Sequence, residues 1–318
     1  MRVGVAEAIP EELLRGMPAG VEIVRVPAEP AGALDVDFWV LPFSRKQAEA
    51  AYPHLRGLKV MQSAMAGVER ILPWKPKGVV LCDGRGIHDI SASEWVLSVL
   101  LAWVKRLPEY VLAQKAGEWR GQKNWMGTAL PGAPQYVVQA DDLHGKRILI
   151  VGYGAIGEAI ERRLAGFEVE VVRLARRARP EAGVLGISSL EEELPRADVV
   201  VIMVPLTDAT RGMIGAREIG LMKRGALLVN AARGPIVQTD ALLDALVEGR
   251  IHAAVDVTDP EPLPSGHPLW SAPNILITPH IGGGTPEFIR RAFKFVREQV
   301  GRAMRGEELM NIVGEDGY

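Results

Sequence analysis

The run Arg147-Ile-Leu-Ile-Val-Gly-Tyr-Gly-Ala-Ile-Gly157 constrains this chain more than any other stretch. A short β-branched segment meets three glycines spaced G-x-G-x-x-G and passes into an amphipathic segment, 158–164. Each glycine has a physical reason. Gly152 permits a tight turn, Gly154 lets backbone approach a pyrophosphate, and Gly157 allows a helix to pack closely on a strand. Phosphates then lie at a helix N-terminus, where unpaired N–H groups and the dipole favour negative charge. The glycine spacing alone is common. Between a strand and a helix it predicts a bound dinucleotide, contacted by Gly152, Gly154, Ala155, Ile156 and Gly157.

A second strand, expected over 168–174, should end in an acid that bonds the ribose 2′-OH of NAD. About eighteen residues beyond Gly157 stands Ala175, followed by Arg176 and Arg177. Two guanidiniums occupy the place of a carboxylate. Arginine clamps phosphate by paired, charge-assisted hydrogen bonds, so NADP is the expected cofactor, with NAD possible. The alternative is a solvated basic loop, since Arg173 and Arg179 lie close by in sequence.

With 318 residues, the chain suits two domains, each with its own core. A net charge of −2 offers no basic field for nucleic acid or a membrane surface. Cys82 is the one cysteine, which rules out an intramolecular disulfide and a cysteine metal cluster. The opening Met1-Arg-Val-Gly-Val is strand-like and lacks an apolar h-region, so no signal peptide is expected. No apolar run reaches the length of a membrane span. The expectation is a cytoplasmic enzyme.

Strands are predicted over 1–5, 21–26, 37–41, 58–62 and 79–82, with helices over 11–15, 45–51 and 67–72 between them. Such alternation indicates a parallel sheet covered by helices. Residues 92–116 read as one long helix, interrupted or kinked at Pro108. A loop over 117–142 carries Trp119 and Trp125. From 146 a second α/β region begins, with strands at 147–151, 168–174, 199–204, 226–230, 252–257 and 275–278. A last helix, 286–304, has no sheet near it in sequence and should pack back on the first domain. The expected fold class is α/β with two lobes. Residues 92–283 form a dinucleotide-binding domain, inserted in a substrate domain built from 1–91 and 284–318.

Three later segments could carry chemistry. Leu227-Leu-Val-Asn-Ala-Ala-Arg-Gly-Pro235 ends a buried strand with Arg233. Ala254-Val-Asp-Val-Thr-Asp-Pro-Glu-Pro-Leu263 delivers Asp256 and then Glu261. Ile275-Leu-Ile-Thr-Pro-His-Ile-Gly-Gly283 places His280 just past a further strand. Ligands of α/β sheets sit at the carboxyl ends of strands, so arginine, carboxylate and histidine converge beside the cofactor. Each has a structural alternative: Arg233 as a cap or surface pair, Glu261 in a solvated turn, Asp256 bonding loop amides.

In this order after the glycine turn, the segments resemble the D-isomer-specific 2-hydroxyacid dehydrogenases, which include glyoxylate/hydroxypyruvate reductases and phosphoglycerate dehydrogenases. The resemblance covers about 58–285 and is most specific at Asn230-Ala-Ala-Arg-Gly and Thr278-Pro-His-Ile-Gly-Gly. It implies a Rossmann-like lobe inserted in a flavodoxin-like lobe. His280 would be the general acid for the substrate carbonyl. Glu261 would bond the imidazole and raise its pKa. Arg233 would bind a 2-oxo acid and polarise its carbonyl, and Asp256 would orient the nicotinamide amide. Ser63-Ala-Met-Ala-Gly-Val-Glu69 resembles the carboxylate-binding loop, with N–H groups of Ala66 and Gly67 on the substrate and Glu69 where the family often has Asp. Val204-Pro-Leu-Thr-Asp-Ala-Thr210 resembles the loop under the adenosine and nicotinamide ribose. Val204, Pro205, Thr210, Ala231, Ala232 and Gly282 are thereby implied as further cofactor contacts.

The expected activity is reduction of a small 2-oxo acid, such as glyoxylate or hydroxypyruvate, to the D-2-hydroxy acid by NADPH. The resemblance also implies a homodimer, with 92–135 as the contact. The segment His88-Asp-Ile-Ser-Ala-Ser departs from the family's usual Asn-rich version and leaves the substrate open. Phosphite oxidation would use the same Arg, Glu and His. Formate dehydrogenases of this fold pair their histidine with glutamine, which Glu261 argues against. A reading of another class is a nucleotide-sensing corepressor on the same scaffold.

Overall fold

Parallel strands buried on both faces are near-continuous apolar runs, and the two richest sets of such runs in this chain form two separate sheets. In the computed structural model, which describes residues 1–118 and 140–314, the chain divides into two compact units. One is Met1–Ser91 with Gly283–Tyr318; the other is Ala92–Gly282. The second crossing falls one residue before the expected place, so Gly283 belongs to the first unit. Trp119 and Trp125 lie outside the described residues.

The first unit contains β1 (Arg2–Ala6), β2 (Glu22–Val26), β3 (Leu34–Asp35), β4 (Phe38–Val40), β5 (Leu55–Arg56), β6 (Val60–Gln62) and β7 (Val80–Cys82). Five of them pair in parallel in the order β2-β1-β4-β6-β7, while β3 and β5 pair apart from the main sheet. That is the flavodoxin-like order. Successive residues face opposite sides of a strand. Val3, Val5, Phe38, Val40 and Val60 therefore form one core, with Phe293, Val296 and Val300 of the terminal helix Pro286–Arg305. Trp39, Met61 and Leu81 face the other way and pack with Ala48 and Ala51 of the helix Arg45–Ala51.

The second unit carries β8 (Arg147–Val151), β9 (Glu170–Ala175), β10 (Val184–Gly186), β11 (Val199–Ile202), β12 (Leu227–Asn230), β13 (His252–Val255) and β14 (Ile275–Ile277). Seven strands run parallel in the order β10-β9-β8-β11-β12-β13-β14, so the order in which the chain lays down strands reverses between β8 and β11. This is the doubly wound arrangement, whose switch point is a ligand crevice. Ile148, Leu149, Ile150 and Val151 are all fully buried, in two cores on opposite faces.

Three expectations need correction. Residues 67–72 do not form an α-helix; the local element is a single 3₁₀ turn, Leu72–Trp74, with Pro73 in it. The long helix over 92–116 is two helices, Asp89–Val104 and Leu107–Lys115, separated at Arg106, whose φ is 55°. A proline ring clashes with the carbonyl four residues back, here Val104, where the first helix stops. Pro108 instead sits in the first turn of the second helix, where its missing N–H costs nothing. The strand β10 and the pair β3–β5 were not expected, being only two or three residues long. Among the described residues, no helix is long and apolar enough to cross a membrane.

Candidate active site

The glycine turn lies at the switch point of the second sheet. The N–H groups of Gly152 and Tyr153 donate to the Leu174 carbonyl of β9 at 2.9 and 2.7 Å. On its other side the turn meets the end of β11. Gly152 has a φ of 103°, and a Cβ there would lie 2.5 Å from Met203 C and 2.6 Å from Val204 N. Only glycine satisfies both conditions. At Gly154 a Cβ would have nothing within 4 Å, so this residue faces open space. It heads the helix Ala155–Leu164, whose first turn has no side-chain cap. Its N–H groups stay available to an anion. Gly157 packs on the strand: its Cβ would stand 3.2 Å from Ile150 Cγ2.

The four arginines near the end of β9 fall into two kinds. Arg173 Nε donates to both oxygens of Glu161, at 3.1 and 2.9 Å, and its Nη1 to Ala182 O at 2.9 Å. Arg179 Nη2 donates to Tyr153 O at 2.7 Å, tying its loop to the glycine turn. Both guanidiniums lie over the Tyr153 ring, at 5.5 and 5.9 Å from its centroid. Burial, followed by a hydrogen bond to Glu161, pushes the Tyr153 phenol up to about 12. Arg176 and Arg177 are exposed and, among the described residues, have no hydrogen-bond or ion-pair partner.

A second group forms at the carboxyl ends of β12, β13 and β14. Asn230, almost fully buried, shapes the loop after β12: its Nδ2 donates to Arg233 O at 3.0 Å and its Oδ1 accepts from Ala232 N at 3.1 Å. Arg233 is half-buried, with Nη1 on Ala232 O at 2.7 Å. Gly234 backs onto the loop after β13, where a Cβ would lie 2.7 Å from Asp259 N and closer still to Thr258 O.

Asp256 is 3% exposed and organises the turn that carries the histidine. Its Oδ1 accepts from Thr278 Oγ1 at 2.6 Å and Ile281 N at 2.8 Å, and its Oδ2 from Gly282 N at 2.7 Å. Trp95 Nε1 donates in turn to Thr278 Oγ1 at 3.1 Å. His280 stands at the apex with a φ of 55°, a conformation rare for a side chain of its size. Its Nδ1 lies 2.7 Å from Glu261 Oε1. A carboxylate only accepts, so Nδ1 carries the proton and Nε2 points away from the pair. Both side chains are reachable, at 42% and 37% exposure.

Of the remaining expected residues, Thr210 Oγ1 accepts from Thr207 N at 2.8 Å and donates to Pro205 O at 2.6 Å, which closes the loop from Val204 on itself. Ala231 and Ala232 follow β12 in the same unit. Ala66 and Gly67 belong to the first unit, after β6. Sequence reading missed the parts played by Asn230, Thr278 and Trp95. Asn230 and Thr278 sit inside the quoted motifs; Trp95 left no signal beyond its helical spacing.

The D-isomer specific 2-hydroxyacid dehydrogenase NAD-binding domain model matches residues 97–282. A D-3-phosphoglycerate dehydrogenase of Methanocaldococcus jannaschii is 32% identical over 286 residues, 88% of this chain and 52% of that protein. This chain therefore spans about half of that relative's length. A glyoxylate/hydroxypyruvate reductase B of Citrobacter koseri is 31% identical over 88% of each chain. Among solved structures, an NADPH-dependent glyoxylate/hydroxypyruvate reductase from Sinorhizobium meliloti, in complex with NADP and sulfate, superposes with a TM-score of 0.80. It is 27% identical, and the match covers 100% of this chain and 99% of that one. With a dinucleotide-binding sheet, its glycine turn and a matching domain model in hand, the chain belongs to the D-isomer specific 2-hydroxyacid dehydrogenase family.

Proposed function

We propose that the protein is an NADPH-preferring reductase of small 2-oxo acids, of the glyoxylate or hydroxypyruvate kind, yielding D-2-hydroxy acids. The observation that carries this reading is the His280 Nδ1–Glu261 Oε1 pair at 2.7 Å, presented at an accessible strand end. The residues around the glycine turn suit a nicotinamide dinucleotide phosphate. Gly154 faces open space, the helix behind it is uncapped, and Arg176 and Arg177, without a partner among the described residues, follow β9, where the ribose would lie. When bound, the nicotinamide supplies the hydride.

The chain's own residues supply the rest. Arg233 binds the acid and draws electron density from its carbonyl oxygen. His280 gives the proton on Nε2 to that oxygen as hydride reaches the carbon, so one hydride and one proton complete the reduction. Glu261 keeps Nδ1–H engaged and orients the ring. Asp256, whose oxygens hold Thr278, Ile281 and Gly282, fixes the turn in which His280 sits and, with Gly282, would hold the nicotinamide end of the cofactor. Ala66 and Gly67 N–H groups take the substrate carboxylate. We assign the first unit to substrate binding, the location to the cytoplasm, and the assembly to a homodimer. Leu107, Val111 and Leu112, all about half exposed on one helix, support the last assignment. Residues 119–135 of the expected contact lie outside the described residues.

The test is loss of NADPH absorbance, and separately NADH absorbance, with glyoxylate, hydroxypyruvate, pyruvate and a bulkier 2-oxo acid. His280→Ala should lower kcat about 10²–10⁴-fold, the usual share of a general acid. Cofactor binding without turnover of any acid would move the reading to a sensing protein.

A further inference from the structure

Gln62 and Gln299 are both fully buried, in the middle of the first unit. Gln62 is the last residue of β6 and immediately precedes the loop 63–67. Its Nε2 donates to Ser63 O at 2.8 Å and Asp83 O at 3.0 Å. Its Oε1 accepts from Gln299 Nε2 at 2.8 Å. The same Gln299 Nε2 donates to Met310 O at 2.9 Å, and Gln299 Oε1 accepts from Met310 N at 2.8 Å. Each amide uses both of its protons and at least one acceptor site. A fully buried amide pair of this kind persists only if it is satisfied throughout.

The pair connects two backbones. On one side is the tail after the terminal helix, which runs beside β7: Asp83 N donates to Asn311 O at 3.0 Å and Val313 N to Leu81 O at 2.8 Å. On the other side is the loop 63–67. That loop is also held from β7, through Ser63 N on Cys82 O at 2.8 Å and Gly84 N on Met65 O at 2.9 Å. Gly84 touches it directly. A Cβ on Gly84 would lie 2.5 Å from Ala64 C and 3.0 Å from Met65 N, and closer to Ala64 O. Those are backbone atoms, so no side chain can swing aside to make room. No left-handed φ is involved; the requirement is for space alone.

We infer that Gln299 and Gly84 are positioning residues for substrate: they set the backbone of 63–67, Gln299 by tying it to the tail at Met310 and Gly84 by allowing contact at Ala64. The inference rests on the reading of Ala66 and Gly67 as donors to the substrate carboxylate. Displacement of such donors by about 1 Å is enough to cost up to about a hundredfold.

The test uses the full-length Gly84→Ala and Gln299→Leu proteins. Their KM for the preferred 2-oxo acid should rise about tenfold or more, while kcat and the cofactor Kd stay within about twofold, the signature of lost binding shared by ground and transition states. Amide hydrogen exchange of the 63–68 peptide should quicken while that of 152–157 is unchanged. A folded Gly84→Ala with wild-type KM and unchanged exchange at 63–68 overturns the inference. So does a cofactor Kd that shifts as far as the acid KM. If Gln299→Leu does not fold, Gly84→Ala decides alone. If the wild-type protein reduces no 2-oxo acid, the catalytic reading fails by itself. Exchange at 63–68 then decides the tether: faster in the variants upholds it, unchanged overturns it.

Discussion

Charged side chains close together in sequence have different work according to what they already touch. Arg173 and Arg179 are committed to Glu161 and to the Tyr153 carbonyl, whereas Arg176 and Arg177 have no partner among the described residues. Replacing Arg176 and Arg177 with Ala should weaken NADPH binding by about 10–100-fold, the loss of one or two hydrogen bonds to a charged group, and leave NADH within about twofold. Equal losses for both cofactors, measured by fluorescence titration, would remove the clamp. Arg179→Ala should instead weaken both cofactors alike, because its partner is the turn and not the phosphate. The sequence displayed four arginines near one strand end and could not sort them, since partners such as Glu161 and Ala182 come from folding. The pairing of Glu261 with His280 was implied only through the resemblance. The two stand nineteen positions apart, across loop and strand, and no periodicity carries across such a gap. Burial pushes the Cys82 thiol up to about 12. Iodoacetamide at neutral pH should therefore leave the native protein unlabelled, with labelling appearing only on unfolding.

At the scale of elements, strands were legible because both sheets are parallel and buried, and their apolar runs are almost uninterrupted. Strand ends were less so: the expected 199–204 stops at Ile202, and 252–257 stops at Val255, where loops take over to present Val204 and Asp256. Apolar residues continue past the last ladder hydrogen bond because the loops are themselves buried. The divided helix shows the opposite limit. Spacing from Trp95 to Leu107 is helical throughout, yet a single proline four residues beyond Val104 divides it. The terminal helix offers a sharp test of element packing. Phe293 is 2% exposed against Val3, Val5 and Phe38, so Phe293→Ala should cost about 3–5 kcal/mol, read as a fall in the denaturant midpoint. Val247 lies on an exposed face, and Val247→Ala should change stability by no more than about 0.5 kcal/mol.

For the molecule as a whole, acid sensitivity has an identifiable contributor. The Arg2 guanidinium and backbone N–H hold the Asp37 carboxyl down at about 2. Its folded-state value is depressed, so the stability it contributes is present above the unfolded value of 3.8 and lost as pH falls through about 2. Asp37→Asn should flatten the stability curve between those limits, followed by urea unfolding at stepped pH. The division into units has another outcome. On the ribosome, residues 92–282 are available to close their sheet before the helix Pro286–Arg305 has been made. The first unit waits for the end of the chain: Val3, Val5, Phe38 and Val40 lack their cover until Phe293, Val296 and Val300 emerge. At elongation rates of about 5–20 residues per second, the stretch from Val40 to Phe293 takes about 13–50 seconds, during which an apolar sheet face stands open to chaperones. The unit begun first is thus the last to be finished.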